Sequence, residues 1–267
     1  MSSFYARTFM YDGIPCEYYN DLRILNFDTS GVSDSDGGSG MTIQQKYIYR
    51  RSKPFYYGRT QDISLEFEVT VGSENNISSV DRARIESWLL GRMEYLPFQV
   101  QQDDLQNVVF YTLLTKSTNK YIGNLNYGLT LHAQCNAPWG FEYPKTLTKN
   151  YSGSAIVNEI FNFNNTSDDS DYNYPAISFT TSGVGSGITI TNLQDSSRQF
   201  VFSGISSLET MTVDNDRQII SSSTGLLRLS NFNKKFLRLV PGKNTLTIAG
   251  GITNFSMTTT FARKVGA

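Results

Sequence analysis

Residues 63–71 read Ile-Ser-Leu-Glu-Phe-Glu-Val-Thr-Val, with every odd-numbered position apolar. Successive side chains of a strand point to opposite faces, so this run builds a strand with one buried face and one wet face. A helix is excluded, because its apolar stripe recurs every three to four residues. Glu66 and Glu68 fall on the wet face, alternating with Leu65, Phe67 and Val69. The same bias runs through the chain. Thr outnumbers Ala by 25 to 9; Thr suits a pleated strand, whereas Ala is the best helix former. The predicted fold class is mainly β.

One segment breaks the pattern. Ser78-Ser79-Val80-Asp81 fits a helix N-terminal cap, and Ile85, Trp88 and Leu89 form an apolar stripe at i, i+3 and i+4. Gly91 is placed to end this helix in a left-handed turn. Trp88, by its spacing, anchors the helix on a sheet rather than stacking a ligand. Strands are predicted at 108–115 and 127–135, after which Asn136-Ala137-Pro138-Trp139-Gly140 interrupts the alternation. Beyond it no helical period appears. Short strands are expected near 176–181, 187–193, 199–202, 208–213, 218–221, 236–239, 245–249 and 254–261, separated by Asp, Asn, Gly and Ser clusters. Many short strands at such spacing make a sandwich or a barrel. The 267 residues suit two domains, at roughly 100–200 residues each. The expected domains are 1–145 and 150–267, with the boundary between 138 and 152.

A net charge of −1 gives no ground for general nucleic-acid affinity. Residues 1–144 carry 12 Lys and Arg against 16 Asp and Glu, whereas residues 145–267 carry 11 against 8. Chemistry is scarce. The one histidine, His132, shares the wet face of its strand with Thr130 and Gln134. Cys16 and Cys135 are expected to be buried, reduced thiols, with their pairing left open. No metal-ligand spacing and no Gly-x-Ser-x-Gly elbow is present. Asp34 and Asp36, and Asp168, Asp169 and Asp171, lie in acidic loops whose calcium-loop pattern is incomplete. The glycine-rich 183–187 leads into no helix, so it reads as a loop rather than a phosphate cradle. No enzyme activity, cofactor or metal is expected. The first residues lack the apolar run of a signal peptide, and no stretch approaches the roughly 20 apolar residues of a membrane helix. Membrane insertion is therefore not expected.

Residues 47–59 ask for a partner. Arg50, Arg51, Lys53 and Arg59 are interleaved there with Tyr47, Tyr49, Phe55, Tyr56 and Tyr57. Such mixing suits single-stranded nucleic acid, and equally a protein interface, where Tyr, Phe and Arg are enriched. The acidic surroundings favour the interface. Tyr47, Tyr49, Arg50, Arg51, Phe55, Tyr56 and Tyr57 are its candidate inter-subunit residues.

Several further segments carry a likeness. They are Phe9-Met10-Tyr11-Asp12-Gly13, the helix of Ile85, Trp88 and Leu89, Tyr95-Leu96-Pro97-Phe98, Val109-Phe110-Tyr111 and the run 128–139. Val213-Asp214, Gln218-Ile219-Ile220 and the run 236–246 around Pro241-Gly242-Lys243-Asn244 complete them. Together, over nearly the whole chain, they resemble the distal tail protein (Dit) family of long-tailed phages, the siphoviruses. The resemblance implies an N-terminal β-sandwich and a galectin-like C-terminal β-sandwich. Residues 31–60 read as an arm or hairpin that reaches a neighbour. It also implies a homohexameric ring with the N-terminal domains as its wall. That hub would join the tail tube protein to the adhesin-bearing tail-tip protein at the distal end of the virion's tail. Receptor-binding proteins are a further implied partner, and assembly would take place in the host cytoplasm.

A bore lined by carboxylates lets DNA pass without holding it, since phosphates are retained by Lys and Arg. Glu66 and Glu68 are the candidates for that lining. The rival reading is a carbohydrate-binding module of a phage adhesion device. Galectins use a Trp and a His for sugar, but Trp88, Trp139 and His132 all precede the second domain. Tyr172 and Tyr174 lie in that domain and could still stack a sugar, which leaves weak binding open. A cell-wall hydrolase needs paired carboxylates or a metal site, and neither can be located.

Overall fold

The computed structural model describes residues 6–25, 41–61, 64–152, 157–183 and 187–264. The chain divides into two compact units, Met1–Glu142 with Arg263–Ala267, and Tyr143–Ala262. Among the described residues, no helix is long and apolar enough to cross a membrane.

The first unit contains β1 (Phe9–Tyr11), β2 (Ile14–Pro15), β3 (Arg23–Ile24), β4 (Met41–Lys46), β5 (Phe55–Gln61) and β6 (Glu66–Gly72). Then follow α1 (Ser79–Leu90), β7 (Leu96–Val100), β8 (Val108–Ile122), β9 (Leu125–Cys135) and β10 (Gly140–Glu142). Its main sheet runs β2-β1-β7-β8-β9-β6-β3, with β10 added to β8. In a flat sheet β7 and β6 would lie three strand spacings apart, roughly 14 Å. Yet the rings of Phe98 on β7 and Phe67 on β6 are 5.4 Å apart. The sheet is therefore folded over, and its two halves enclose one core as a β-sandwich. Edge strand β3 is brought round to the lead-in of β1, where the Ile24 N–H donates to the Arg7 carbonyl at 2.8 Å.

Leu65, Phe67, Val69 and Val71 are all buried, as their alternation demands. Helix α1 starts at Ser78, whose Oγ accepts from the Asp81 N–H at 3.1 Å, and it buries Ile85, Trp88 and Leu89. Trp88 stacks on Tyr19 at 4.8 Å and faces Phe9 at 6.1 Å. Gly91 does not adopt the expected left-handed turn: its φ is −75°. What requires glycine is close approach, since a Cβ at Gly91 would lie 2.4 Å from the Ser87 carbonyl oxygen.

Cys16 and Cys135 are free and buried. Burial pushes the Cys135 thiol up to about 12 and raises that of Cys16. The thiolate is the reactive form. The folded protein at pH 8 should therefore resist a chromogenic disulfide reagent, and two thiols per chain should react after denaturation. Rapid labelling of either thiol in the folded chain would contradict this.

The second unit contains β11 (Lys145–Asn150), β12 (Val157–Asn165), β13 (Ala176–Thr181), β14 (Gly187–Asn192) and β15 (Arg198–Ser203). It continues with β16 (Thr210–Asp214), β17 (Ile219–Ser222), β18 (Gly242–Gly250) and β19 (Ile252–Thr259). Two antiparallel sheets, β11-β19-β13-β16-β17 and β12-β18-β14-β15, form a β-sandwich. Phe179, Met211 and Phe255 from the first and Ile190, Phe202 and Ile248 from the second share one core. Strand β12 was not expected from sequence, because its outward Asn162 and Asn164 disfavour strands; Phe161 and Phe163 alternate with them and pack inward.

The strand expected at 236–239 does not form. Leu237 and Leu239 alternate and are buried, but the segment has one bridge, Leu239 to Asn173, and no ladder. Asparagine side chains take the ladder's place. Asn215 Oδ1 accepts from the Leu237 N–H at 2.9 Å, and Asn192 Nδ2 donates to the Arg238 carbonyl at 2.9 Å. The Pro241-Gly242-Lys243-Asn244 turn closes in the same way. Gly242 has φ +80°, and buried Asn244 bonds the Val240 N–H and the Val240 and Gly242 carbonyls.

Candidate functional site

Strands β4 and β5 pair with each other in a two-stranded sheet of their own, in register from Met41↔Gln61 to Lys46↔Phe55 with a bulge at Gln44/Gln45. None of their described residues belongs to the buried core of the first unit. Tyr49 is 87% exposed, Tyr47 and Tyr57 each 69%, and Tyr56 65%. Arg50 turns the chain at φ +68°, and the Arg51 guanidinium lies 3.9 Å over the Phe55 ring. The arm thus brings Tyr47, Tyr49, Arg50, Arg51, Phe55, Tyr56 and Tyr57 together. Exposed Ile43 and Ile48 belong with them. Sequence reasoning passed both over, although each is an apolar residue with no core position. An isolated two-stranded hairpin is at best marginally stable in water.

Glu66 and Glu68 lie on the outer face of β6, opposite Gln134 and His132 of β9. His132 Nδ1 is 2.8 Å from Glu68 Oε1. Below them the Thr70 and Thr130 hydroxyls meet at 3.0 Å. His132 is thus one rung of a cross-strand polar ladder. Lys116 of β8 stands opposite His132, and Lys120 opposite Gly128. These lysines bring cations to the same region of the sheet, a juxtaposition set by register and bulges that no sequence spacing reveals.

A groove of about 1060 Å³ opens between residues 14–20 and helix α1, lined by Ile14, Tyr18, Tyr19, Val80, Ile85 and Trp88 among others. Two buried donors in its lining, Trp88 Nε1 and Asn20 Nδ2, have no acceptor among the described residues. At one end Arg92 pairs with Asp12 at 2.8 Å.

The second unit carries a loop turned inside out. Arg228 points inward, where its Nε and Nη2 donate to the two oxygens of Glu209 at 2.9 and 2.6 Å. Glu209 is 1% exposed and also accepts from the Ser222 and Thr224 hydroxyls. The neighbouring Leu226, Leu227 and Leu229 face outward, with Leu227 94% exposed. The Arg228 guanidinium holds the Glu209 carboxyl down to about 2. Elsewhere on this unit, Arg238 is clamped by Asp195 at 2.8 and 2.9 Å and covers the Tyr172 ring at 3.8 Å. Tyr172 therefore offers at most one free face for stacking, while Tyr174 is 39% exposed. Among the described residues no three His, Cys, Asp or Glu gather as metal ligands. Asp34 and Asp36 lie outside the described residues.

Residues 4–137 match the family described as phage tail protein N-terminal domain, and residues 139–258 match that described as phage tail C-terminal domain. The chain belongs to this phage tail protein family. Among solved structures it is similar to the Dit protein of phage SPP1, presented as a paradigm of the hub adsorption apparatus in phages infecting Gram-positive bacteria. That likeness has 18% identity and a TM-score of 0.66, covering 95% of this chain and 98% of the other. A chain of the phage p2 baseplate, in its activated conformation with Sr, is similar at 10% identity and a TM-score of 0.52, covering 87% and 89%. At these identities the likeness is one of fold. No curated protein sequence matches the chain. The resemblance to distal tail proteins read in the sequence is borne out.

Proposed function

We propose that this chain is the structural subunit of a hexameric ring at the distal end of a phage tail. The ring is a hub joining the tail tube protein to the tail-tip protein, and it has no catalytic role. The observation that carries this reading is the β4–β5 arm, whose aromatic rings lie in water on a hairpin without a core of its own. Burial of such rings against another subunit is what makes a hairpin of this kind persist. The shared fold with a hub protein of an adsorption apparatus supports the same reading. An arm that seats on a different surface of the next copy is a heterologous contact, and such contacts make a ring when the rotation between copies closes.

In this proposal residues 1–145 form the wall of the ring and residues 150–267 form an outward domain. Glu66 and Glu68 face the bore, and the leucine loop at 226–229 meets another tail component such as a receptor-binding protein. Carbohydrate binding by the outward domain is the weaker reading, since Arg238 occupies one face of Tyr172. Native mass spectrometry of the full chain should give a closed oligomer of six. A strict monomer at high micromolar concentration would overturn the ring.

A further inference from the structure

We propose that a cavity on the second unit, between the β14–β15 turn and residues 235–238, is a binding site for a phosphate ester. The site is separate from the hub reading and stands whether or not the ring forms. The cavity has a volume of about 320 Å³, and Asp195, Ser196, Ser197, Arg198, Lys235 and Arg238 are in its lining. Every lining residue is polar or charged, so hydrogen bonding and charge decide what it takes.

The charge in the cavity is unbalanced. Three cations against one carboxylate leave a net charge of +2. The carboxylate is already satisfied: buried Asp195 accepts from Arg238 Nε and Nη2 at 2.8 and 2.9 Å. That bidentate pair cancels one cation and leaves Arg198 and Lys235. A concave surface lined by one sign of charge concentrates ions of the other sign. The Asp195–Arg238 clamp by itself ties the turn to residues 235–238, which is a structural role. It gives no reason for the other two cations, and exposed Lys235 has no ion pair among the described residues.

The donors are held in place before any ligand arrives. Arg238 is fixed by Asp195 and by the Tyr172 ring 3.8 Å beneath its guanidinium. Arg198 Nε donates to the Phe236 carbonyl at 3.3 Å, which anchors that side chain across the cavity. Among the described residues, Arg238 Nη1 and both terminal nitrogens of Arg198 make no hydrogen bond. Ser196 and Ser197 add exposed hydroxyls. Their φ angles are +51° and +54°, in a turn closed by the Arg198 N–H on the Asp195 carbonyl at 2.9 Å. Glycine and asparagine are the usual residues for such a turn, and serine here puts a donor beside the cations.

This donor set selects among anions. A carboxylate is best met by the planar fork of one guanidinium, and the Arg238 fork is already taken by Asp195. What remains is single donors from separate side chains. A phosphate group spreads its charge over several oxygens that point in different directions, and it matches donors arranged in that way. The cations converge on one cavity rather than following a stripe, so the fit is to one phosphate group and not to a nucleic-acid backbone.

The test is isothermal titration calorimetry on the full chain with glycerol 3-phosphate, glycerol, sulfate and a single-stranded oligonucleotide. Glycerol 3-phosphate should bind once per chain, and glycerol should not bind. Lys235→Ala and Arg198→Gln should each weaken that binding about tenfold, the weight of one hydrogen bond to a charged group, with an unchanged circular dichroism spectrum. Arg238 is left in place, because its removal strands Asp195 as a buried, unpaired carboxylate. No heat with glycerol 3-phosphate at millimolar concentrations would overturn the site. So would binding that neither variant weakens, since the phosphate would then sit elsewhere. Sulfate bound as tightly as glycerol 3-phosphate would mark an adventitious ion site only. An oligonucleotide that binds more tightly than glycerol 3-phosphate, and loses affinity in the same variants, would replace the ester with a nucleic-acid backbone.

Discussion

Arg228→Ala is expected to lower the melting temperature of the second unit by on the order of 10 °C at pH 7. The reason lies in what it leaves behind. Glu209 is 1% exposed, and Arg228 supplies its two charge-assisted hydrogen bonds. Leaving a buried carboxylate without its counter-charge costs about 3–5 kcal/mol in comparable sites. The pH dependence has a definite sign. Glu209 titrates at about 2 in the folded protein against an ordinary value of 4.5. A depressed carboxylate stabilises the fold above its unfolded pKa, and that contribution is lost as the pH falls through the window from about 4.5 to about 2. In the variant, Glu209 no longer has the guanidinium to hold its proton off. The gap in melting temperature between wild type and variant should therefore narrow as the pH falls from 6 to 3. Replacing both partners with leucine should recover part of the loss, because the pair's worth lies in its matching rather than in its charge. A melt at pH 7 unchanged within 1 °C would refute the assignment of Arg228 as the anchor of the leucine loop.

The largest effect on assembly is expected from the arm. Replacing residues 47–57 with a Gly-Ser linker of equal length should abolish the ring at concentrations at least 100-fold above those at which wild type assembles. Far-UV circular dichroism should keep its β signature. The rings of Tyr47, Tyr49, Tyr56 and Tyr57 pack on no described core residue, so removing them leaves the first unit's own fold intact. Interface energy concentrates in aromatic and arginine anchors, and this segment holds both. Sedimentation velocity on the two chains gives the answer, and a substituted chain that still sediments as the ring would exclude the arm from the interface.

The sequence by itself determined whatever depends on near neighbours. The alternation at 63–71 specified a strand and its buried face, because strand side chains alternate by geometry alone. Ser78 and the Ile85, Trp88 and Leu89 stripe specified a capped helix and its inward side. Pro241-Gly242-Lys243-Asn244 specified a turn, and the arm announced itself by rings and arginines with no core pattern to join. The tertiary structure decided whatever depends on residues brought together from afar. Leu237 and Leu239 alternate as a strand would, yet asparagines from other elements hold the segment. Lys116 meets His132 through a register that bulges shift. The groove needs residues 14–20 and α1 side by side. Nothing local in Leu226-Leu227-Arg228-Leu229 says that the arginine turns inward and the leucines outward. A charge can be buried only where its partner arrives, and Glu209 arrives from 19 residues earlier in the chain.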